Sequence, residues 1–450
     1  MIERWSRDQV LALAPDAPSQ RAAQGVAAPG KWSSRGAAGA VVYGECKGSG
    51  AKPYLACVDL SEPAYRCSCP SRKFPCKHAL GLLLMWSADG LPESDATPRW
   101  VAEWLESRAE RAARAAARLD AAPAMTAACD ETAPPGPSAG PAGGDGSAGG
   151  GRVGAGVESV RHARVAAGLA EAERWLADQV RQGLAGTPAH DWDDLAKRLI
   201  DAQAPGVAGM VSRLPQIRAE DDWPARLLEE YALINLLAVA YRRRAELPGP
   251  LAQTVLSRVG FPVAKEEVLA GPRVRDQWDV LGRRDELFDR LTSRRVWLRG
   301  RHTGRAALIL SFAPQGQALE PSPVTGTTID AELAFYPGAA PLRALVAVRH
   351  DTAAALPPAV PPGASPYAAL DEVAGAVASD PWLESWPLVL TGVVPGHDSL
   401  AGLSLHPRAR DPWRLIAVSG GHPLTVAVEW TPRGLRPLTT WDDDGTAVIL

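Results

Sequence analysis

Three cysteines and one histidine stand close together in the N-terminal part of the chain: Cys67, Cys69, Cys76 and His78. Their order is Cys-x-Cys, six residues, and then Cys-x-His. Three thiolates and one imidazole form the tetrahedral donor set that zinc favours, and four protein ligands leave no coordination position for water or substrate. The quartet therefore predicts one zinc ion with a structural role, and this constraint decides how the surrounding chain can fold.

Disulfide bonding is the alternative use of these cysteines, and both spacing and composition disfavour it. A bridge between Cys67 and Cys69, which flank a single residue, would be strained. Six cysteines in 450 residues are too few for a disulfide scaffold. Cys46 and Cys57 lie on predicted strands, where a free thiol packs as a small apolar side chain. Cys129 falls in a low-complexity segment, and no structural or functional role is predicted for its thiol.

The segment 64–84, with the sequence AYRCSCPSRKFPCKHALGLLL, contains all four ligands and resembles the SWIM zinc finger family. Upstream, residues 41–46 and 54–60 are predicted strands, and residues 80–86 are a predicted helix, which is the order that the family implies. The resemblance covers residues 32–86 and implies interaction with nucleic acid or protein. For bacterial members it also implies work beside AAA ATPases and von Willebrand A-domain proteins. The richness in alanine, arginine and proline indicates a GC-rich bacterial genome.

The charge of the chain is unevenly distributed around this segment. Residues 31–78 contain eight basic and three acidic side chains, a net charge of 8 − 3 = +5, whereas the whole chain carries −3. A cationic surface beside a metal site can attract phosphate, although many basic faces serve solubility alone. The candidate nucleic-acid contacts are therefore Lys47, Lys52, Arg72, Lys73 and Lys77.

Composition and hydropathy predict a cytoplasmic protein with two or three domains and no membrane partner. The hydrophobic fraction of 46% is ordinary for a globular protein. The first residues carry charges of both signs and lack an apolar signal segment. No stretch approaches the ~20 apolar residues that a membrane helix needs. A reducing cytoplasm also agrees with thiolates kept for a metal.

The predicted fold class is multi-domain α+β, with four successive regions. Residues 1–120 form an N-terminal domain around a small ββα zinc-binding module (core 32–86), and residues 121–157 form an Ala/Gly/Pro-rich disordered linker that tethers it. Residues 158–275 show apolar positions at three- and four-residue intervals, which predicts a helical region. Residues 276–450 are predicted as an antiparallel-rich, β-rich α+β domain.

Within the last region, turn residues and β-favouring runs predict individual elements. Strand pairs are expected at 296–299 with 306–312 and at 333–336 with 342–348, followed by a helix at 367–378. Further strands are expected at 388–394, 413–418, 424–430 and 435–441.

No catalytic motif was found in the C-terminal half. Its histidines are scattered, and neither a His-Glu-x-x-His pair nor a Gly-x-Ser-x-Gly elbow occurs. The prediction is therefore a zinc-binding interaction protein, not an enzyme, whose finger docks onto DNA or onto a protein partner. The alternative is an enzyme of unknown class in the C-terminal domain that the finger recruits to its target. The scattered histidines are His302, His350, His397, His406 and His422.

Overall fold

The computed structural model describes residues 4–48, 50, 52–61, 63–71, 73–120, 150–288, 291–315, 317, 319–350, 360–409 and 412–450. The chain forms two compact units. The first combines Met1–Ala109 with Lys265–Tyr336 and Ala340–Leu450, and the second combines Glu110–Ala264 with Pro337–Ala339. Helices and antiparallel sheets are both present, which confirms the multi-domain α+β class. In the described part of the chain, no helix has the length and apolar character needed to cross a membrane.

The N-terminal part of the first unit contains the predicted finger, enlarged on both sides. Its antiparallel sheet has the order β1-β2-β3-β4, so strands on either side flank the two that the sequence predicted. A capping box begins α1, because Ser6 Oγ accepts from the Gln9 backbone N–H and the Gln9 side chain accepts from the Ser6 backbone N–H. The elements are α1 (Arg7–Ala12), α2 (Ala17–Val26), β1 (Trp32–Ala38), β2 (Val41–Cys46), β3 (Tyr54–Asp59), β4 (Ala64–Cys67), α3 (Lys77–Ser87) and α4 (Arg99–Asp120).

Helix α3 is the centre of this module. All of its residues from His78 to Trp86 are buried, since α1 and α2 contact the helix on one side and β2, β3 and β4 on the other. Leu80, Leu82 and Leu83 are fully buried in this core. A second apolar cluster joins Val101 and Trp104 of α4 to β2 and β3. The finger is thus a sheet with helices on both faces.

The second unit contains the predicted helical region. Its helices are α5 (Gly150–Gln182), α6 (Ala189–Asp201), α7 (Pro205–Ile217), α8 (Trp223–Arg242) and α9 (Gly249–Val259). Helix α8 contacts α5, α7 and α9 and buries Leu227, Tyr231, Ile234 and Leu237 at helical spacing. Helix α5 begins inside the segment that was expected as a linker, and residues 121–149 of that segment lie outside the described residues.

The C-terminal part of the first unit begins with α10 (Lys265–Ala270) and a closed five-stranded barrel. The strands are β5 (Arg273–Phe288), β6 (Leu291–Gly300), β7 (Ala306–Pro314), β8 (Thr328–Phe335) and β9 (Arg343–Arg349). Their order is β5-β6-β7-β9-β8, and β5 closes the barrel by pairing with β8. The β7–β9 pair is parallel and the others are antiparallel. The order is of the Greek-key type, because β9 lies between β7 and β8 in the barrel.

A second sheet follows the barrel and packs against it. The elements are α11 (Pro366–Ser379), β10 (Trp386–Val393), β11 (Ser399–Leu400), β12 (Leu403–Ser404), α12 (Pro412–Ser419), β13 (Leu424–Thr431), β14 (Gly434–Trp441) and β15 (Ala447–Ile449). The large sheet has the order β10-β13-β14-β15. Trp297 and Leu308, on the outside of the barrel, pack against Val389, Ala427 and Leu438 of this sheet.

The predicted strand at 413–418 is wrong, because these residues lie in helix α12. The run is apolar and short, so that its length did not distinguish a strand from a helix. The helix starts at Pro412, which suits a first helical position, and it buries Leu415 and Ser419, four residues apart. The other predicted strands and the helix at 367–378 are present with shifted ends.

The barrel also completes the finger core. Val324, from the connection between β7 and β8, belongs to the same apolar cluster as Leu80 and Trp86. Beside it, the buried Gln9 Nε2 donates a hydrogen bond of 2.9 Å to the backbone oxygen of Thr325. The finger and the barrel therefore share one core.

Candidate metal centre

The four predicted ligands come together between the end of β4 and the start of α3. Cys67 is the last residue of β4, and Cys69 follows in the connecting loop. Cys76 is the N-cap of α3, and His78 lies in the first turn of that helix. Their ligand atoms all lie within 4.8 Å of one another. The structure thus assembles the quartet that the sequence predicts.

The spacing of these atoms fits a tetrahedral zinc site. Cys67 Sγ lies 3.7 Å from His78 Nδ1. With Zn–S and Zn–N bonds of usual length, a tetrahedral site separates a sulfur from a nitrogen by about 3.6 Å. The chemistry of the donors and their separation therefore agree, and the finger holds one structural zinc. When bound, the metal would crosslink β4 and its loop to α3.

Burial shields part of this site from solvent, and a neighbouring ring orients the imidazole. Cys76 and His78 are buried, and Cys67 and Cys69 are half-buried. The His78 ring lies against Tyr54 of β3, with ring centroids 4.9 Å apart. An aromatic neighbour at this distance restricts rotation of the imidazole, so that Nδ1 stays directed at the thiols. Four protein ligands in such an enclosure hold a fold together and leave no place for a substrate.

In the absence of a metal, hydrogen bonding within the quartet favours the thiolate form of one cysteine. The Cys67 thiol stabilises the Cys76 thiolate, which lowers the pKa of Cys76 despite its burial. The same bond raises the pKa of Cys67, and burial raises the pKa of Cys69. Binding of zinc must therefore displace protons from the other two thiols.

The candidate nucleic-acid contacts differ in whether their charge is paired within the protein. Lys47, Lys52, Lys73 and Lys77 are all exposed, and Arg72 lies outside the described residues. Lys73 Nζ forms an ion pair of 2.5 Å with Asp16 Oδ2, which lowers the pKa of Asp16 to about 2. The charge of Lys73 is thus partly neutralised within the protein.

Two of these lysines lie beside a third that the sequence analysis did not select. The backbone N–H of Lys47 donates to the backbone oxygen of Lys31 over 2.8 Å. Lys31 and Lys77 both oppose the rise in pKa that burial causes at Cys46, which places both near that thiol. We call Lys31, Lys47, Lys52 and Lys77, which are all exposed, the lysine face.

The histidines of the C-terminal part contact different partners in the described structure. His302 Nδ1 lies 2.8 Å from Asp276 Oδ1, at the turn between β6 and β7. His350 Nε2 lies 3.1 Å from Glu332 Oε1. The His397 ring packs against Trp413, and the buried His406 lies 2.8 Å from Arg436.

An ionic cluster between the barrel and the second sheet was missed by the sequence analysis. The almost fully buried Glu429 of β13 accepts hydrogen bonds from both terminal nitrogens of Arg284, on β5. Arg436 of β14 approaches Glu429 to 3.7 Å and Glu286 to 3.8 Å. The signal in the sequence is a pair of Arg-Arg doublets, at 283–284 and 294–295, from which Arg284 and Arg295 pair directly across β5 and β6.

Two family models match parts of this chain. Residues 57–87 match the SWIM zinc finger, which agrees with the resemblance seen in the sequence. Residues 160–259, which include most of α5 and all of α6 to α9, match the SWIM-associated four-helix bundle domain. No curated protein and no solved structure matches the chain. The zinc-binding segment is thus assigned to the SWIM zinc finger family, and the helical unit to the four-helix bundle domain that accompanies such fingers.

Proposed function

We propose that the protein is a zinc-stabilised DNA-binding protein whose lysine face contacts the phosphate backbone. The observation that carries the proposal is the exposure of Lys31, Lys47, Lys52 and Lys77 on the module that contains the metal centre. Lysine side chains near a rigid support attract phosphates and release counterions on binding. The zinc would act indirectly, by holding the β4–α3 loop beside these side chains.

DNA is favoured over a protein partner by the composition of this surface. Lysine is depleted in the cores of protein–protein interfaces, because its ammonium group is costly to desolvate. Phosphate contacts, in contrast, leave the ammonium partly hydrated. A protein partner, including the AAA ATPase that the family resemblance implies, is therefore the competing outcome of the test.

The test compares wild-type protein with a variant in which all four lysines of the lysine face are replaced by glutamine. Fluorescence anisotropy with a labelled duplex of mixed sequence would give affinity at several salt concentrations. Four lost phosphate contacts should reduce the slope of log K against log salt by up to about 3.6. Lys73→Gln is the matched control, because this lysine is exposed but already forms an ion pair with Asp16.

Unchanged duplex binding in the quadruple variant would overturn the proposal. The same holds if wild-type affinity does not fall with salt, because phosphate contacts must be screened. If the finger binds only a protein partner, the quadruple variant should bind duplex DNA no more weakly than wild type does.

A further inference from the structure

Helix α8 of the helical unit presents a row of apolar side chains to solvent. Its members follow one another at intervals of three and four residues, which places them on one face of the helix. Four are exposed and the last is half-buried, and the two leucines are 47% and 42% exposed. We call this row the outer stripe, which comprises Ala225, Leu228, Ala232, Leu236 and Val239.

The opposite side of the same helix is also apolar. Leu227, Tyr231, Ile234 and Leu237 are buried there, in contact with the other helices of the unit. A helix that is apolar on opposite sides is usually covered on both of them. Within the described part of the chain, the contacts of α8 with α5, α7 and α9 leave the outer stripe uncovered.

The two ends of the outer stripe carry opposite charge. Residues 220–226 contain one base and three acids, a net charge of 1 − 3 = −2, and two of these acids, Asp221 and Asp222, are exposed. Residues 241–246 contain three bases and one acid, a net charge of 3 − 1 = +2. Glu173 of α5 pairs with one of these arginines and lowers this charge to +1. An apolar middle thus lies between an acidic end and a basic end.

This arrangement makes the outer stripe complementary to itself in the antiparallel direction. A two-fold axis beside Ala232 brings residues at equal distances before and after it opposite one another in two copies. Leu228 of one copy then meets Leu236 of the other, and Asp221 meets Arg243. The short side chain of Ala232 allows the two helices to approach closely at the axis. A parallel arrangement would instead place like charges together at both ends.

We propose that the protein forms an antiparallel homodimer through the outer stripe of α8, with its two-fold axis at Ala232. A second copy is the occupant that the charges favour, because each end finds its opposite only in this arrangement. Each copy contributes one helix of 20 residues, about 30 Å long. Such an interface is small, so the dimer is weak and reversible. The proposal does not depend on DNA binding, because α8 and the lysine face lie in different units.

Sedimentation velocity of the full chain with its zinc tests the association, over concentrations from about 1 to about 300 µM. The average mass of wild-type protein should rise with concentration from one chain toward two. Leu228→Glu should weaken the dimer at least about tenfold, because it brings a carboxylate from each copy against a leucine. Ile200→Glu is the matched control, since Ile200 is 58% exposed on α6 and lies outside the stripe.

Disulfide crosslinking tests the register, in a chain that also carries Cys129→Ser to remove a thiol in the low-complexity segment. Ala232→Cys should form a reducible dimer under mild oxidation, because residue 232 meets its own copy at the axis. Ala225→Cys is the matched control on the same stripe. Its two copies lie about 21 Å apart along the helices, beyond the ~7 Å between Cα atoms that a disulfide spans.

Each outcome decides the proposal. A dimer that Leu228→Glu disrupts and Ile200→Glu retains, with crosslinking at position 232 and not at 225, supports it. Wild-type protein that stays monomeric over the whole range overturns it and leaves the stripe to a different protein partner. A dimer that tolerates Leu228→Glu overturns it, and equal crosslinking at both positions overturns the antiparallel register. Thermal unfolding verifies that each variant is folded, and crosslinking decides alone if Leu228→Glu is not.

Discussion

Replacing Cys69 by serine should remove zinc and loosen the ligand loop without unfolding α3. Cys69 lies in the loop between β4 and α3, and its neighbours Ser68, Pro70 and Lys73 are exposed. Cys69 packs against the edge of the apolar core, but most other described side chains of the loop are exposed, so the metal is the main crosslink of this segment. The helix that follows is supported differently, because its side chains are buried among other elements of the first unit.

The magnitude follows from this division. In isolated zinc-finger peptides the metal contributes on the order of 10 kcal/mol, because no other core exists. Here Leu80, Leu82 and Leu83 are fully buried without help from the metal, and each contributes ~1.5–3 kcal/mol. We therefore expect a loss of about 3–5 kcal/mol, the usual cost of removing one partner from a buried charged cluster. For a unit of this size that lowers the melting temperature by roughly 6–15 °C.

Metal analysis combined with hydrogen exchange would measure both effects. Wild-type protein should contain about one zinc per chain, and Cys69→Ser should lose it to a competing chelator. Amide protection should fall in residues 68–76 and persist in α3 and β3. Cys46→Ala is the control, because this buried thiol lies outside the quartet and zinc should remain. Collapse of protection throughout α3, or zinc that resists the chelator in Cys69→Ser, would refute this reasoning.

Three further predictions concern other parts of the fold. Glu429→Gln should destabilise the first unit by about 3–5 kcal/mol in denaturant unfolding, because it leaves buried arginines uncompensated. The same change at the 41% exposed Glu286 should cost less than about 1 kcal/mol. Equal losses of stability in the two variants would contradict this. Burial raises the pKa of Asp285, but hydrogen bonds from Arg294 and Arg283 outweigh it and lower the pKa to about 2. Its contribution, about 2 kcal/mol, is therefore present above pH ~4 and lost toward pH 2, so that an Asp285→Asn variant should show a smaller fall in stability over this range. Tyr231→Phe should cost the helical unit about 1–3 kcal/mol, because it removes the acceptor 2.9 Å from the buried Trp192 Nε1; an unchanged melting temperature would refute it.

The metal centre could be predicted from the sequence because its determinants are local. The four ligands lie within one strand end, one loop and one helix start, and zinc restricts their chemistry to a few residue types. The capping box at Ser6 and the strands at 41–46 and 54–59 also follow from neighbouring residues. The resemblance to the SWIM finger agrees with the match at residues 57–87.

The barrel could not be predicted, because its closure depends on pairs far apart in the chain. Strand β5 pairs with β8 across a separation that includes β6 and β7, and β7 pairs in parallel with β9 over only Leu308 and Ile309. No local periodicity encodes such pairs. The ionic cluster around Glu429 depends in the same way on β5 meeting β13. For helix α12 the error has another cause, since an apolar run of that length fits a strand as well as a helix.

The metal centre and the barrel stabilise different parts of the finger. Zinc fixes the ligand loop, but it cannot close the core on which α3 rests. That core includes Val324, and the buried bond from Gln9 to Thr325 joins residues 316 positions apart. Tyr65 of β4 is another link: burial raises its pKa to about 12, and the barrel residues Arg283 and Arg294 lie close enough to oppose that rise. An isolated finger would therefore expose apolar side chains that the barrel now covers. The lysine face accordingly belongs to a unit whose core the barrel completes, so it should be tested with the barrel present and not in an isolated finger.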